Sequence, residues 1–326
     1  GTPNDVLPES TTYFRIYFMG SLAFVLYNAL TGILQAVGDS KHPLYYLIIS
    51  SITNIVLDLV LIVGFHFGVG AAALATIVSQ FLSAILCIIH LLKADEAYRL
   101  DLKAIRIDVD LLKQILTNGL PAGLQNSIIA LANVVVQSHI NQFGKMAVAG
   151  SGSYAKIEGF GFLPITCFAL AMTTFISQNL GAKQYERAKK GSRFGIVCCV
   201  VLAQAIGLII YTFAPQLIGL FDRTPEVIQY GTMHARTTTL FFFLLSFSHC
   251  VAGILRGAGK SIVPMIVMLI CWCVIRVTFI TIATNIFDTI RVVYIAYPLT
   301  WSLSSIAFLI YYLRIKWDQL NITTKS

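Results

Sequence analysis

The sequence contains few charged residues for its length. Asp, Glu, Lys and Arg together make up 12% of its 326 residues, whereas soluble domains carry about 25%. Hydrophobic residues make up 57%, and the mean hydropathy is +0.78. A core of this size cannot hide that much apolar surface from water. These values exclude a soluble globular protein and a disordered chain, and they predict an integral membrane protein.

Motifs for nucleotide, metal and nucleic-acid chemistry are also missing. The sequence has no Walker A loop, no HExxH and no pair of acids within one apolar run. The seven cysteines all lie in apolar runs and have no zinc-site spacing. No basic segment interleaved with aromatic residues suggests a nucleic-acid partner. The sequence therefore predicts no enzyme, no cofactor and no metal. Because a nucleotide-binding loop is missing, any energy-requiring activity would have to be driven by an ion gradient.

Long apolar runs are what the sequence has in place of these motifs. A membrane-spanning helix needs about 20 apolar residues, and runs of this length predict helices and not barrel strands. Pro121, Pro164 and Pro298 predict bends in three of them. The nine predicted spans are 12–36, 43–64, 68–92, 113–140, 147–178, 194–220, 227–253, 262–285 and 290–313.

Basic residues mark one side of this predicted bundle. Gly181 to Arg193 holds five of them, and most of the 23 basic residues fall in alternate connections. Because cytoplasmic loops are enriched in Lys and Arg, this pattern predicts a cytoplasmic C-terminus. Nine spans then place residue 1 outside the cell. Since the chain starts with Gly1 and has no signal peptide, a missing beginning is expected.

An internal repeat gives the domain organisation. Residues 32–43 read GILQAVGDSKHP and residues 253–264 read GILRGAGKSIVP, so six of twelve positions match at an offset of 221. Both copies follow one span and begin the next. The repeat predicts a two-lobe, pseudo-symmetric, all-α membrane protein of twelve helices, from which the first three are missing. The predicted parts are half of an N-lobe (1–92), a linker (93–110), a C-lobe (111–315) and a cytoplasmic tail (316–326).

A carboxylate inside an apolar span is the main candidate for ion binding. Asp58 and Asn54 are one helical turn apart, and Thr76 on the next span could add a hydroxyl. Ionisable groups in spans are costly and often functional, so this set could bind Na⁺ or a proton. The alternative is a structural carboxylate that caps a helix or pairs with Arg.

Other polar residues inside spans are candidates for a substrate cavity. They could instead bond helices together, or in the case of His249 be a satisfied core histidine. Arg276 is expected to anchor against a carboxylate or against carbonyls. The cavity candidates are Asn28, Gln125, Asn126, Asn133, Gln137, Glu158 and His249.

Four stretches resemble the bacterial branch of the multidrug and toxic compound extrusion (MATE) family. They are the repeated turn, GLPAGLQNSIIALAN (119–133), GFLPITCFALAMTTFISQNLGAKQYERAKKG (161–191), and NIVLDLVLI followed by GVGAAALAT. The resemblance implies twelve helices in two lobes around a central cavity. It also implies an N-lobe cation site at Asn54, Asp58 and Thr76. The first-helix acid of that site would lie outside this chain.

The function expected from these features is secondary active export. The protein would exchange cationic amphiphilic drugs for H⁺ or Na⁺ in the bacterial plasma membrane, and a monomer is expected. The partners would be the lipid bilayer and small molecules. Two alternatives stay open, a lipid-linked oligosaccharide flippase of the same superfamily and a membrane-embedded enzyme.

Overall fold

The protein is a bundle of long apolar helices in a computed structural model that describes residues 7–94, 98–315 and 317. Seven helical spans of the described chain are long and apolar enough to cross a membrane, and two bent helix pairs raise this number to as many as nine. An all-helical membrane architecture is thereby confirmed. The helices are α1 (Leu7–Met19), α2 (Ser21–Ala36), α3 (Lys41–Asp58), α4 (Val69–Leu92), α5 (Val109–Asn141), α6 (Lys145–Gly181), α7 (Tyr185–Gly219), α8 (Pro225–Thr239), α9 (Phe242–Gly257), α10 (Ile262–Met268), α11 (Arg276–Ile286) and α12 (Arg291–Leu313).

Two π-helical segments lengthen the membrane-spanning helices. Leu59–Gly64 continues α3, and Leu269–Ile275 joins α10 to α11. The corresponding spans therefore run over Lys41–Gly64 and Ile262–Ile286. A π-helical turn changes the register of a helix face locally, and such turns often occur at functional sites.

The chain divides into two compact units, Gly1–Ile107 and Asp108–Ser326. In the first unit, α4 packs against α1, α2 and α3. Its buried core includes Leu34 of α2 and Cys87 of α4. The Ser50 hydroxyl donates to the Ser79 carbonyl over 2.6 Å, which ties α3 to α4. The assignment of the units to an N-lobe and a C-lobe stays a prediction.

The second unit is built around α6, which packs against α7, α8 and α9. Helix α5 begins at Val109, four residues before the predicted span, because the Asp108 carboxylate accepts hydrogen bonds from the amides of Asp110 and Leu111. This is the usual chemistry of a helix N-cap. The largest fully buried side chains include Tyr154 and Phe242.

The breaks in the helices do not coincide with the prolines from which bends were expected. Helices α5, α6 and α12 continue through Pro121, Pro164 and Pro298. The pairs α1–α2 and α8–α9 are instead bent by 45° and 55°. The α1–α2 break lies at Gly20, where Ile77 of α4 occupies the space of a Cβ atom. The close approach of α4 to Gly20 therefore explains why the break lies at this glycine.

The sequence repeat also appears in backbone geometry. Gly38 and Gly259 both have positive φ, +90° and +73°, and both follow the end of a helix. In each copy the next amide donates over 2.9 Å to a carbonyl five residues earlier, which is the Schellman arrangement that favours glycine. The helix breaks at Gly20 and Phe241 are likewise 221 positions apart.

Candidate ion and substrate sites

Asn54 and Asp58 present buried polar atoms on one face of α3. The side-chain nitrogen of Asn54 and one carboxylate oxygen of Asp58 are buried, and neither has a hydrogen-bond partner in the described part of the chain. The two residues are four positions apart and therefore lie on the same helix face. Asp58 is also the last residue before the π-helical segment Leu59–Gly64. This unmatched oxygen makes Asp58 the candidate ion ligand of α3.

Thr76 lies on α4, which packs against α3. Its hydroxyl donates to the Ala72 carbonyl over 3.0 Å, so its oxygen keeps the capacity to accept or to coordinate. Gln80 is one turn further along the same face, and its side-chain oxygen is buried without a partner in the described residues. The spacing of Gln80 from Thr76 in the sequence could have identified it as a further candidate.

The second unit contains a cavity of about 300 Å³ within its helices. It brings together Asn133 of α5 and Glu158 of α6, two of the predicted substrate residues, with aromatic rings and a guanidinium group. The lining residues are Ile129, Asn133, Ala155, Glu158, Gly159, Phe162, Leu245, Trp272, Arg276, Tyr297 and Trp301.

Arg276 has partners of a different kind from those expected. Its side chain is buried, and its Nε and one terminal nitrogen donate to the Thr300 hydroxyl over 3.1 and 2.9 Å. Its guanidinium carbon lies 4.4 Å from the ring centroid of Tyr297. A hydroxyl and an aromatic face therefore hold Arg276, and within the described residues no hydrogen bond or ion pair joins it to the carboxylate or carbonyl that the sequence suggested.

Glu158 and Arg276 give the cavity groups of both signs. Within the described residues, no ion pair at 4.0 Å or less joins the two. Four aromatic rings line the cavity, from Phe162, Trp272, Tyr297 and Trp301. Aromatic faces attract cations and apolar groups alike. The cavity can therefore receive an amphiphile with a charged end and an apolar body.

His249 and Gln125 lie close to residues that form or flank this cavity, but neither lines it. The His249 ring is 4.9 Å from Phe162 in an edge-on arrangement and 5.3 Å from Trp272. Its Nε2 is buried without a partner in the described residues. Gln125 is buried on α5 and donates to the Met268 sulfur over 2.8 Å.

Three other cavity candidates are exposed within their own units. Asn28 donates to the Phe24 carbonyl over 2.7 Å, and Gln137 donates to Asn141 over 3.0 Å. Asn126 is exposed on α5. None of the three lines the cavity described above, so a role for them in substrate binding stays a prediction.

His234 is a buried titratable residue that the sequence reasoning did not select. It is 5% exposed, and both ring nitrogens lack a partner in the described chain. Its ring stacks on Tyr294 at a centroid distance of 4.0 Å and an angle of 10°. Its place inside the predicted span 227–253 is the same signal that identified Asp58.

Comparisons with known proteins agree with this architecture. The probable multidrug resistance protein YoeA of Bacillus subtilis (strain 168) is 27% identical, over 99% of this chain and 71% of the relative. YpnP of the same organism, also a probable multidrug resistance protein, is 26% identical over 100% of this chain and 72% of its own length.

A solved structure and a family model also match this chain. A structure described as MATE in the bent conformation is 25% identical and superimposes with a TM-score of 0.89. The superposition covers 96% of this chain and 70% of that one. The family model MatE matches residues 1–60 and 121–282, which is more than half of the chain. The chain therefore belongs to the MatE family of multidrug efflux transporters.

Proposed function

We propose that this protein exports cationic amphiphilic compounds in exchange for H⁺ or Na⁺. The observation that carries the proposal is the buried carboxylate oxygen of Asp58, which has no hydrogen-bond partner in the described residues and lies one helical turn from Asn54 on α3. A charged side chain at the centre of a membrane helix costs about 2.5–3.5 kcal/mol on insertion scales. A bound cation or proton would remove that cost, so occupancy of Asp58 would be coupled to conformation.

The chemistry around Asp58 supports either coupling ion. Sodium would use the Asp58 carboxylate, the Thr76 hydroxyl and the side-chain oxygen of Asn54, since a half turn of the Asn54 amide exchanges its oxygen and nitrogen. A proton would instead bind the Asp58 carboxylate and remove its charge. In either case the ion would bias the transporter only as far as it binds one conformation better than the other.

The cavity in the second unit supports the choice of substrate. A cationic amphiphile would place its charge near Glu158 and its apolar body against Trp272, Tyr297 and Trp301. Arg276 already donates to Thr300 and lies over Tyr297, so its charge is partly engaged. The names of the two Bacillus relatives, both described as probable multidrug resistance proteins, agree with such a substrate.

Efflux of ethidium from cells that express the gene tests the ion site. We expect Asp58→Asn to abolish most of the gradient-driven efflux, because an amide can neither exchange a proton nor supply a charged ligand. The matched control is Asp222→Asn, the same change in the loop before α8, which should leave efflux unchanged. Efflux by Asp58→Asn at the control level, with equal expression, would rule out the ion site.

Proteoliposomes distinguish the coupling ion and the alternative functions. Efflux that responds to an imposed Na⁺ gradient at constant pH indicates sodium, and efflux that responds to a pH gradient without Na⁺ indicates protons. A flippase would draw on Arg276 as the cationic group of the cavity and would move a lipid-linked oligosaccharide in the same vesicles. Turnover by purified protein without any gradient would indicate a membrane-embedded enzyme.

The cellular setting belongs to the same proposal. We place the protein in the plasma membrane of a bacterium as a monomer, with the basic connections and the C-terminus in the cytoplasm. The positive-inside rule supports this orientation. The bacterial origin of the two relatives supports the choice of membrane.

A further inference from the structure

Three metal-ligating side chains meet at the end of the first unit that carries the repeated turn. Asp39 lies in the turn between α2 and α3, His42 in the first turn of α3, and His90 in the last turn of α4. The Asp39 Oδ2 is 2.6 Å from Nδ1 of His42 and 3.4 Å from Nε2 of His90. One ligand atom from each residue lies within 4.8 Å of the others.

The two carboxylate oxygens of Asp39 have separate partners. Oδ1 accepts from the backbone amides of Lys41 and His42, each over 3.2 Å, at the start of α3. Oδ2 faces the two imidazoles. One oxygen of Asp39 therefore anchors the start of α3, and the other is directed at the two imidazole rings.

Tyr46 orients the second imidazole. Its hydroxyl is 3.0 Å from Nδ1 of His90, which leaves Nε2 of His90 as the nitrogen that faces Asp39. Histidines that bind metals usually make such a bond through the other ring nitrogen, because it sets the tautomer and the ring orientation. The cluster therefore has an outer partner as well as three ligand atoms.

The second copy of the repeat shows that the turn does not require these residues. At the offset of 221, Asp39, His42 and His90 correspond to Lys260, Val263 and Tyr311. The backbone turn is nevertheless the same, with the same 2.9 Å hydrogen bond after the glycine. Folding of the turn alone thus does not explain why an acid and two imidazoles converge in the first copy.

We propose that Asp39, His42 and His90 bind a divalent transition metal of the Zn²⁺ type, through Oδ2, Nδ1 and Nε2 respectively. Two imidazoles, one carboxylate and a water form a common four-coordinate zinc set. Tetrahedral ligands at zinc distances are about 3.3 Å apart, so small side-chain movements from the observed positions suffice. The bound ion would connect the turn after α2 to the end of α4.

Solvent can reach this site from one side. The side chains of Asp39 and His90 are about one-fifth exposed and that of His42 is 46% exposed. A metal can therefore enter without unfolding, and a water can fill the fourth position. The sequence predicted no metal because Asp39 and His90 are 51 positions apart and no local spacing joins them.

Metal titration of the purified protein in detergent tests the site, with an affinity tag that contains no histidine. We expect one Co²⁺ per chain with the intense visible absorption of tetrahedral cobalt, displaced by Zn²⁺, and a thermal midpoint that rises with Zn²⁺. His90→Asn should remove the spectrum and the rise. Tyr46→Phe should keep the three ligands but weaken binding by about 10–100-fold.

His66→Asn is the matched control, because His66 is an exposed histidine at positive φ, which Asn tolerates. It should bind Co²⁺ like the parent protein. Size-exclusion profiles of all variants report folding, and Tyr46→Phe keeps the test valid if His90→Asn does not fold. Absence of stoichiometric binding to the parent, or parental binding by folded His90→Asn, would show that the cluster is only a hydrogen-bonded Asp–His pair.

Discussion

Charged residues inside the spans differ in whether their polar atoms have hydrogen-bond partners. Asp58 has one oxygen without a partner in the described part of the chain, whereas Arg276 is held by the Thr300 hydroxyl and the Tyr297 ring. Each adjoins a π-helical segment, Asp58 directly before one and Arg276 directly after the other. Residue type alone does not separate the two, because both are single charges in apolar runs. Among the described residues, only the contacts of the folded chain show that Arg276 has hydrogen-bond partners and that this Asp58 oxygen has none.

Replacing Arg276 with Lys should destabilise the protein. Lysine lacks the planar fork that gives two bonds to one hydroxyl, and hydrogen bonds to charged groups contribute about 1.5–3 kcal/mol. We expect a loss of about 2 kcal/mol, seen as a lower thermal midpoint in detergent. Thr300→Ser keeps the acceptor hydroxyl and should stay close to the parent. An unchanged midpoint for Arg276→Lys would show that the Thr300 bonds contribute little.

Glycines set the distance between helices α6 and α9. A Cβ atom on Gly253 would meet the Ala169 carbonyl oxygen, and one on Gly257 would meet the Thr173 carbonyl oxygen. The Thr173 hydroxyl also reaches across to the Gly253 carbonyl over 3.0 Å. Small residues that allow such close backbone approach are typical of helix contacts in membranes.

Gly253→Ala should therefore separate α6 from α9 and cost about 1–3 kcal/mol, the usual range for overpacking. Gly152→Ala is the matched control on α6, since a Cβ there meets nothing within 4 Å. It should be neutral or slightly stabilising, because alanine favours a helix over glycine by up to about 1 kcal/mol. Thermal unfolding of both variants in one detergent measures the difference. Equal midpoints would contradict the close-packing interpretation.

At the scale of the whole molecule, the two units share a local design. The glycine turn and the helix break recur 221 positions apart. The proposed metal ligands of the first copy are replaced in the second by Lys260, Val263 and Tyr311. The same backbone turn therefore carries different side chains in its two copies. The sidedness of the protein in the membrane rests on the distribution of basic residues.

Fusions of alkaline phosphatase test this sidedness. The enzyme is active only outside the cytoplasm, so a fusion after Asp222 should be active and one after Lys189 inactive. Green fluorescent protein at the same two positions should show the opposite pattern and serves as the control. Activity after Lys189 together with fluorescence after Asp222 would reverse the proposed orientation.

The sequence by itself determined the helical spans, the repeated turn and the family. Hydropathy locates a span because a membrane helix satisfies its own backbone bonds and needs only a local apolar run. The glycine of the turn is also a local requirement, since few other residues adopt positive φ. The intramembrane positions of Asp58 and Glu158 follow from the same local reasoning.

Only the tertiary structure decided which distant side chains meet. The α1–α2 break lies at Gly20 because Ile77 packs there, and Thr300 became the partner of Arg276 because α12 places its hydroxyl beside the guanidinium. Likewise, the last turn of α4 brings His90 to Asp39. These contacts depend on how the helices pack. Packing is set by the fit of side chains that are far apart in the sequence, and no local sequence pattern encodes that fit.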